Sequence, residues 1–347
     1  MNIVHYLRLL VATLILAGLY GAGSARADSL YIGDGADNTV KRFDAQTGAY
    51  LGAFVTSGSG GLRGPRGLIF TRGSLYVSNQ NVGQPFDGEI LQYHRTTGDF
   101  LDALVPCNPP GRACVPDGPF APRGLISGLG ATLYVADLGN FDTQYPGRVP
   151  QFDTKTGAFL GDLDTTGFTG GFYPRGVVLG PDDLLYGSVV GNLAAGDGLT
   201  GYVLRFDPHS GRFVDVFTSN QAAGCAAHLH RPEGLVFGPD GDLYITAFRA
   251  DASDTDKILI FDGITGACLN KIELDQVGQP RAFAQALLFG PGGFLFVPIN
   301  NTGAVRRYDV TNSAFPFTNF VSPGGPLGQP WFLTFGVTNP KTLGYGD

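Results

Sequence analysis

The sequence has no basic run and no basic excess. Its 23 lysines and arginines are outnumbered by 30 acidic residues, for a formal net charge of −7. That balance argues against a nucleic-acid or anionic-membrane binder, since both partners are held through clustered cations. Charged residues are scarce altogether, at 15%, and only the N-terminus offers a long aliphatic run. There is no C-x-x-C pair and no histidine at ligand spacing from a cysteine pair, so no zinc site is indicated. No G-x-S-x-G elbow occurs, and spacing assembles no Ser/His/Asp set. The SGSGG run from Ser57 lies between strands and opens no helix, which removes a phosphate cradle.

Glycine is what the chain has in plenty. Its 53 glycines are spread among 14 tyrosines and 26 phenylalanines, the composition of an all-β protein with many tight turns. The N-terminus has the layout of an export signal: Arg8, an apolar stretch from Leu9 to Leu19, and Ala25-Arg26-Ala27 as an A-x-A cleavage site before Asp28. The apolar stretch falls short of the ~20 residues that a bilayer requires. Residues 1–27 are therefore expected to be a signal peptide and 28–347 one mature domain, secreted or periplasmic, with no membrane span.

Four cysteines fit an oxidising compartment. Cys107 and Cys114 close the short, turn-rich loop CNPPGRAC, and a bridge there would contribute about 2.5 kcal/mol in the chain-entropy model. By elimination Cys225 would pair with Cys268, although four cysteines allow three connectivities. That second bridge requires the loop around Cys225, which precedes a first strand, to reach across to the far end of its blade.

Self-similarity organises the chain. PRGLIFTRGSLYVSN from Pro65, PRGLISGLGATLYVAD from Pro122, PRGVVLGPDDLLYGS from Pro174 and PEGLVFGPDGDLYIT from Pro232 repeat one unit, and AQALLFGPGGFLFVP from Ala284 degenerates from it. Each is followed by a variable polar stretch and a second motif such as VPQFDTKTGAFLGDLD or VLRFDPHSGRFVDVF. Alternation of period two broken by glycine turns gives four short strands per unit. Four-stranded sheets that are apolar on both faces must stack on copies of themselves, and a ring supplies the copies. The mature N-terminus, SLYIGDGADNTVKRFDAQTGAYLGAFV, lacks a first strand, and PWFLTFGVTNP from Pro330 supplies one. The expected fold is all-β: a six-bladed β-propeller of four-stranded blades, closed by pairing of the N- and C-terminal strands.

The P-x-G-L-x-F-G-P-D-G-x-L-Y-V pattern resembles NHL-repeat propellers and the related gluconolactonase/regucalcin and virginiamycin B lyase groups. This architecture hosts lactonases, lyases and pure binding proteins. Gluconolactonase-like propellers hold one divalent cation through oxygens at the strand starts. Here those positions are Arg66, Arg123, Arg175, Glu233, Gln285 and Trp331. Guanidinium groups repel a cation, so neither a metal nor any other cofactor is expected. Three arginines at one mouth suit a carboxylate, sulfate or phosphate instead. They would equally serve as braces between blades, paired with acids such as Asp137 or Asp34.

A second constellation is His228, His230 and Glu233 in AHLHRPEG, which could bind zinc or act as acid and base. The virginiamycin B lyase group uses His and Glu near its channel mouth, on a propeller of different blade number. The acid-rich DASDTDK from Asp251 lacks the Gly and terminal Glu of an EF-hand calcium loop. Asn300-Asn301-Thr302 is a glycosylation sequon. The leading functional expectation is a monomer binding a small-molecule, carbohydrate or protein ligand at the channel mouth. The alternatives are a lyase or hydrolase centred on His228, His230 and Glu233, and a protein-interaction scaffold.

Overall fold

The computed structural model describes residues 28–80, 88–107, 117–139, 146–191 and 200–346. They form six four-stranded antiparallel sheets arranged as the blades of a ring. Blades 1 to 5 follow one another along the chain, with first strands at Pro65–Phe70, Pro122–Ser127, Tyr173–Leu179, Pro232–Phe237 and Leu288–Phe289. The last is cut to two residues, and it falls where the repeat degenerates. The closing blade takes its first strand, Pro330–Phe335, from the C-terminus and its other three from residues 29–55. Its register pairs Leu30 with Phe335, Tyr31 with Thr334, Ile32 with Leu333 and Gly33 with Phe332, as the incomplete ends imply. The expected signal peptide lies outside the described residues. No described helix is long and apolar enough to cross a membrane.

Burial falls from the axis outward. The first two strands of blade 1 are buried at every residue, whereas its fourth, Phe100–Val105, buries only the last two. Inner strands are covered on both faces by neighbouring blades, and outer strands face water. Between blades the L-Y-V tyrosines pack edge-on against aromatics of both sheets: Tyr31 against Phe54 and Phe70, Tyr186 against Phe217 and Phe237.

The F-D-x-x-T-G motif has a local cause and a distant one. Asp44, Asp153 and Asp262 each accept hydrogen bonds from two backbone N–H groups and a threonine hydroxyl of their own turn. These bonds hold their carboxyls below the usual range. The glycine that follows adopts a left-handed φ, 70° at Gly157, and abuts the fourth strand of the preceding blade. A Cβ added there would lie 1.8 Å from the Leu104 carbonyl oxygen. The turn is thus a blade-to-blade contact, which is why it recurs.

A polar residue ending the second strand pins the loop that leads into its own blade. Asp137 accepts from the amides of Phe120 and Ala121, and Asn79 from that of Arg63. In the closing blade Asp34 does so across the chain ends, accepting from Gly328 and Gln329 and from the Lys41 ammonium, which also bonds the Pro326 carbonyl. Asn300 is buried and donates toward Pro330, so the sequon is part of the fold. In the DASDTDK loop Asp254 pairs with Lys257 and the Ala250 amide, and Asp251 with Ser253.

The Cys225–Cys268 disulfide is formed, with the Cα atoms 5.5 Å apart. The required reach is made by a short 3-10 helix, Gly224–His228, which lies against the outer strand Cys268–Glu273. Cys107 is buried and disulfide-bonded, and Cys114 lies outside the described residues.

The segment after Phe335 has a role that the repeat does not announce. It folds across the end of the ring opposite the Pro-x-Gly turns, where the amides of Ser127 and Leu179 donate to the carbonyls of Pro340 and Lys341. Leu343 enters the channel among Leu68, Leu125, Val177, Leu235, Leu287 and Leu333, with a residual void of about 40 Å³, enough for a few waters at most. One end of the channel is closed by the chain's own tail.

Candidate functional site

The other end is built by the Pro-x-Gly turns, and their glycines explain its tightness. A Cβ on Gly67 would lie 2.5 Å from the Arg123 carbonyl oxygen, one on Gly176 3.0 Å from that of Glu233, and one on Gly234 2.9 Å from that of Gln285. Each of these glycines admits the backbone of the next blade, which draws the strand starts toward one axis. The preceding side chains Trp331, Arg66, Arg123, Arg175, Glu233 and Gln285 are thereby gathered at one mouth.

Their contacts follow ring geometry. Arg175 of blade 3 pairs with Glu233 of neighbouring blade 4 at 2.7 Å. Arg66 of blade 1 stacks 4.1 Å over the ring of Trp331 in the closing blade, and its Nε donates to Gln80 Oε1. The Trp331 indole fits because position 35 is glycine: a Cβ there would meet its Nε1 at 2.3 Å. Arg123 of blade 2 reaches blade 5, donating from Nη1 to Gln285 Oε1 at 2.8 Å. The acids Asp137 and Asp34 are engaged with loop amides, Arg148 and Lys41, so they are not the braces of these arginines.

Three guanidiniums thus share one carboxylate, and two positive charges have no counter-charge in the ring. The electrostatics register the excess. Burial, then the nearby Arg123 and Arg175, pushes Arg66 well below an ordinary arginine, while Glu233 partly opposes the shift. Burial and Arg175 bring Arg123 down to about 10, so it stays charged at neutral pH. Among the described residues four buried polar atoms of the ring have no hydrogen-bond partner: Arg66 Nη1, Arg123 Nε, Arg175 Nε and Glu233 Oε2. Buried polar atoms ordinarily find partners, so a cluster of exceptions marks a place for water or ligand.

Arg231 was not singled out by the sequence. It has a left-handed φ of 43° before Pro232, and its Nη2 donates to the carbonyls of Arg249 and Ala250. Burial, Arg281 and Arg175 lower its pKa, and its buried Nε is also without a partner. Its only sequence signal is a charged residue before the Pro-x-Gly turn.

His228 and Glu233 have different surroundings. The charges that act on His228 are Lys271, Lys257, Asp254 and Glu273 of the outer strand side, and burial with the two lysines lowers its pKa. Glu233 faces Arg175 at the mouth. Among the described residues no three His, Cys, Asp or Glu side chains are grouped to hold a metal ion. Residues 81–87, 140–145 and 192–199, which link second and third strands, lie outside the described residues.

Ring closure, blade number and channel define the class as a six-bladed β-propeller. The sequence matches no protein-family model and no curated protein. Solved structures share the fold. An inactive virginiamycin B lyase from Staphylococcus aureus with quinupristin is 15% identical, with 90% of this chain and 92% of that one covered and a TM-score of 0.52. The periplasmic gluconolactonase of Pseudomonas aeruginosa is 17% identical, covering 89% and 98%, with a TM-score of 0.51. A putative 6-phosphogluconolactonase from Bacteroides fragilis is 15% identical, covering 90% and 99%, with a TM-score of 0.53.

Proposed function

We propose that this is an exported propeller that binds a small or extended anionic ligand at its channel mouth. The observation that carries the reading is the charge imbalance of the ring: three converging arginines, one carboxylate and unpartnered buried N–H groups. An anion would answer both the charge excess and the empty donors, through charge-assisted hydrogen bonds. The tail behind Leu343 supports the mouth as the route of approach. Export is supported by the Cys225–Cys268 disulfide, which belongs to an oxidising compartment, and by the signal-like first 27 residues.

The test is thermal shift of the purified protein against a panel of organic acids and sulfated or phosphorylated sugars. Stabilisation by an acid but not by its neutral analogue supports the reading. No shift with any anion removes it. A lyase or hydrolase is the second reading, favoured by the likeness to lyase and lactonase propellers. Its best residue is Glu233, whose Oε2 has no hydrogen-bond partner among the described residues and could accept a proton, while the charges nearest His228 are those of Lys271, Lys257, Asp254 and Glu273.

A further inference from the structure

The ring is specific enough to say how many negative charges its ligand carries. We infer that the mouth selects a small dianion bearing a hydroxyl or amine donor, in preference to any monoanion of similar size. This rests on the anion-binding reading above and adds a valence and a donor to it.

The valence comes from counting charges that have no partner. Arg175 is neutralised by Glu233 at 2.7 Å. Among the described residues Arg66 and Arg123 have only neutral partners, the amide oxygens of Gln80 and Gln285 and the Trp331 ring. Two guanidinium charges are therefore left over at the ring positions; Arg66 is 5% exposed and Arg123 is half-buried. A monoanion would leave one buried cation uncompensated, and an isolated buried charge is costly. A trianion would add one of its own. A dianion brings the six ring positions to neutrality; Arg231, outside the ring, is held on the carbonyls of Arg249 and Ala250.

The donor comes from Glu233, which is 1% exposed and has a free Oε2. A carboxylate oxygen accepts and cannot donate. A ligand made only of acid oxygens would set negative charge against it with no hydrogen between, whereas a hydroxyl or amine beside the acid group would supply one. The free donors Arg66 Nη1, Arg123 Nε and Arg175 Nε take the acid oxygens. Hydroxydicarboxylates and phosphate monoesters of polyols share this chemistry.

Titration calorimetry on the purified full chain at neutral pH, at one fixed ionic strength, decides the matter. The probes are malate, glycerol phosphate, succinate, lactate and citrate. Malate or glycerol phosphate should bind at least roughly tenfold more tightly than lactate, the ratio that about 1.4 kcal/mol produces, and more tightly than succinate or citrate. Whichever of malate and glycerol phosphate wins identifies the acid as carboxylate or phosphate. Arg123→Gln leaves one unpaired charge and should erase the preference for dianion over lactate. Glu233→Gln leaves three and should move the preference to citrate, which gives a second reading should the first variant not fold. Equal binding of lactate and malate by the unaltered protein would overturn the dianion while leaving an anion site standing. Heat from none of the probes would overturn both.

Discussion

Arg123 and Gln285 sit on blades diametrically opposite in the ring, yet a 2.8 Å hydrogen bond joins them across the channel mouth. A contact of that span does little for neighbouring blades, which are held by their own strands and aromatics. It holds a cation over the axis, where burial and Arg175 already penalise its charge. Replacing Arg123 by Ala removes a charged hydrogen bond of about 1.5–3 kcal/mol and relieves repulsion at the same time. The expected outcome is a stability change within about 1 kcal/mol, read from denaturant midpoints, with anion affinity reduced roughly tenfold.

Arg175 should behave oppositely. Its removal takes away the ion partner hydrogen-bonded to the buried Glu233 carboxylate; Arg66 and Arg123 remain near it, so the loss should fall below the ~3–5 kcal/mol of a fully broken buried pair. Arg175→Ala should therefore unfold at markedly lower denaturant than Arg123→Ala. Equal losses from the two variants would assign both arginines to architecture.

Closure of the ring depends on Asp34. Its burial favours the neutral acid, but bonds from Lys41 and from the amides of Gly328, Gln329 and Ala36 outweigh this and lower its pKa. A carboxyl with a depressed folded pKa contributes stability that is present above its ordinary value of 3.8 and is lost as pH falls through the folded value. Below about pH 4 the terminal strand should loosen first. Hydrogen exchange should show residues 330–335 losing protection before the other blades. In Asp34→Asn that acid step should be absent and the strand weaker throughout.

The disulfide offers a separate handle. Cys225 and Cys268 are 43 residues apart, a loop whose closure is worth about 4 kcal/mol in the chain-entropy model. Reduction or a Cys268→Ser change should lower the melting temperature by several degrees without altering anion binding, since the bridge lies at the outer strand of blade 4.

The fold was legible because each repeat motif answers to a local necessity. Glycine before the fourth strand is required by the Leu104 carbonyl against Gly157, and glycine after residue x by the next blade's backbone against Gly67 and Gly176. Blade number and closure followed from the ends. Pairing within the mouth was not legible, because repeat position gathers the six residues but says nothing about which side chains meet. Arg123 with Gln285 and Arg66 with Trp331 depend on side-chain length and angle around the ring. The His228 environment was missed for a related reason. This histidine ends a 3-10 helix, Gly224–His228, that carries Cys225 to its bridge on the outer strand, and no repeat motif announces that helix.

The tail was invisible for want of any repeat signature, and it supports the last prediction. Residues 337–346 contribute no blade strand, but Leu343 fills the apolar end of the channel and the Pro340 and Lys341 carbonyls satisfy the amides of Ser127 and Leu179. Removing the leucine side chain leaves a cavity that six apolar neighbours on rigid strands cannot close. Leu343→Ala should cost about 2 kcal/mol, at the lower end for leucine because the residue is only partly buried. Leu343→Asp should cost more, because its carboxylate would be held among leucines and valines with no cation to meet it. Deleting residues 337–347 keeps the closing strand Pro330–Phe335, so the ring should still form and unfold cooperatively. The apolar end of the channel would then be uncovered. If the tail acts only as a stopper, the truncated protein should retain anion binding at the mouth while melting earlier; loss of that binding would instead make the tail part of the site.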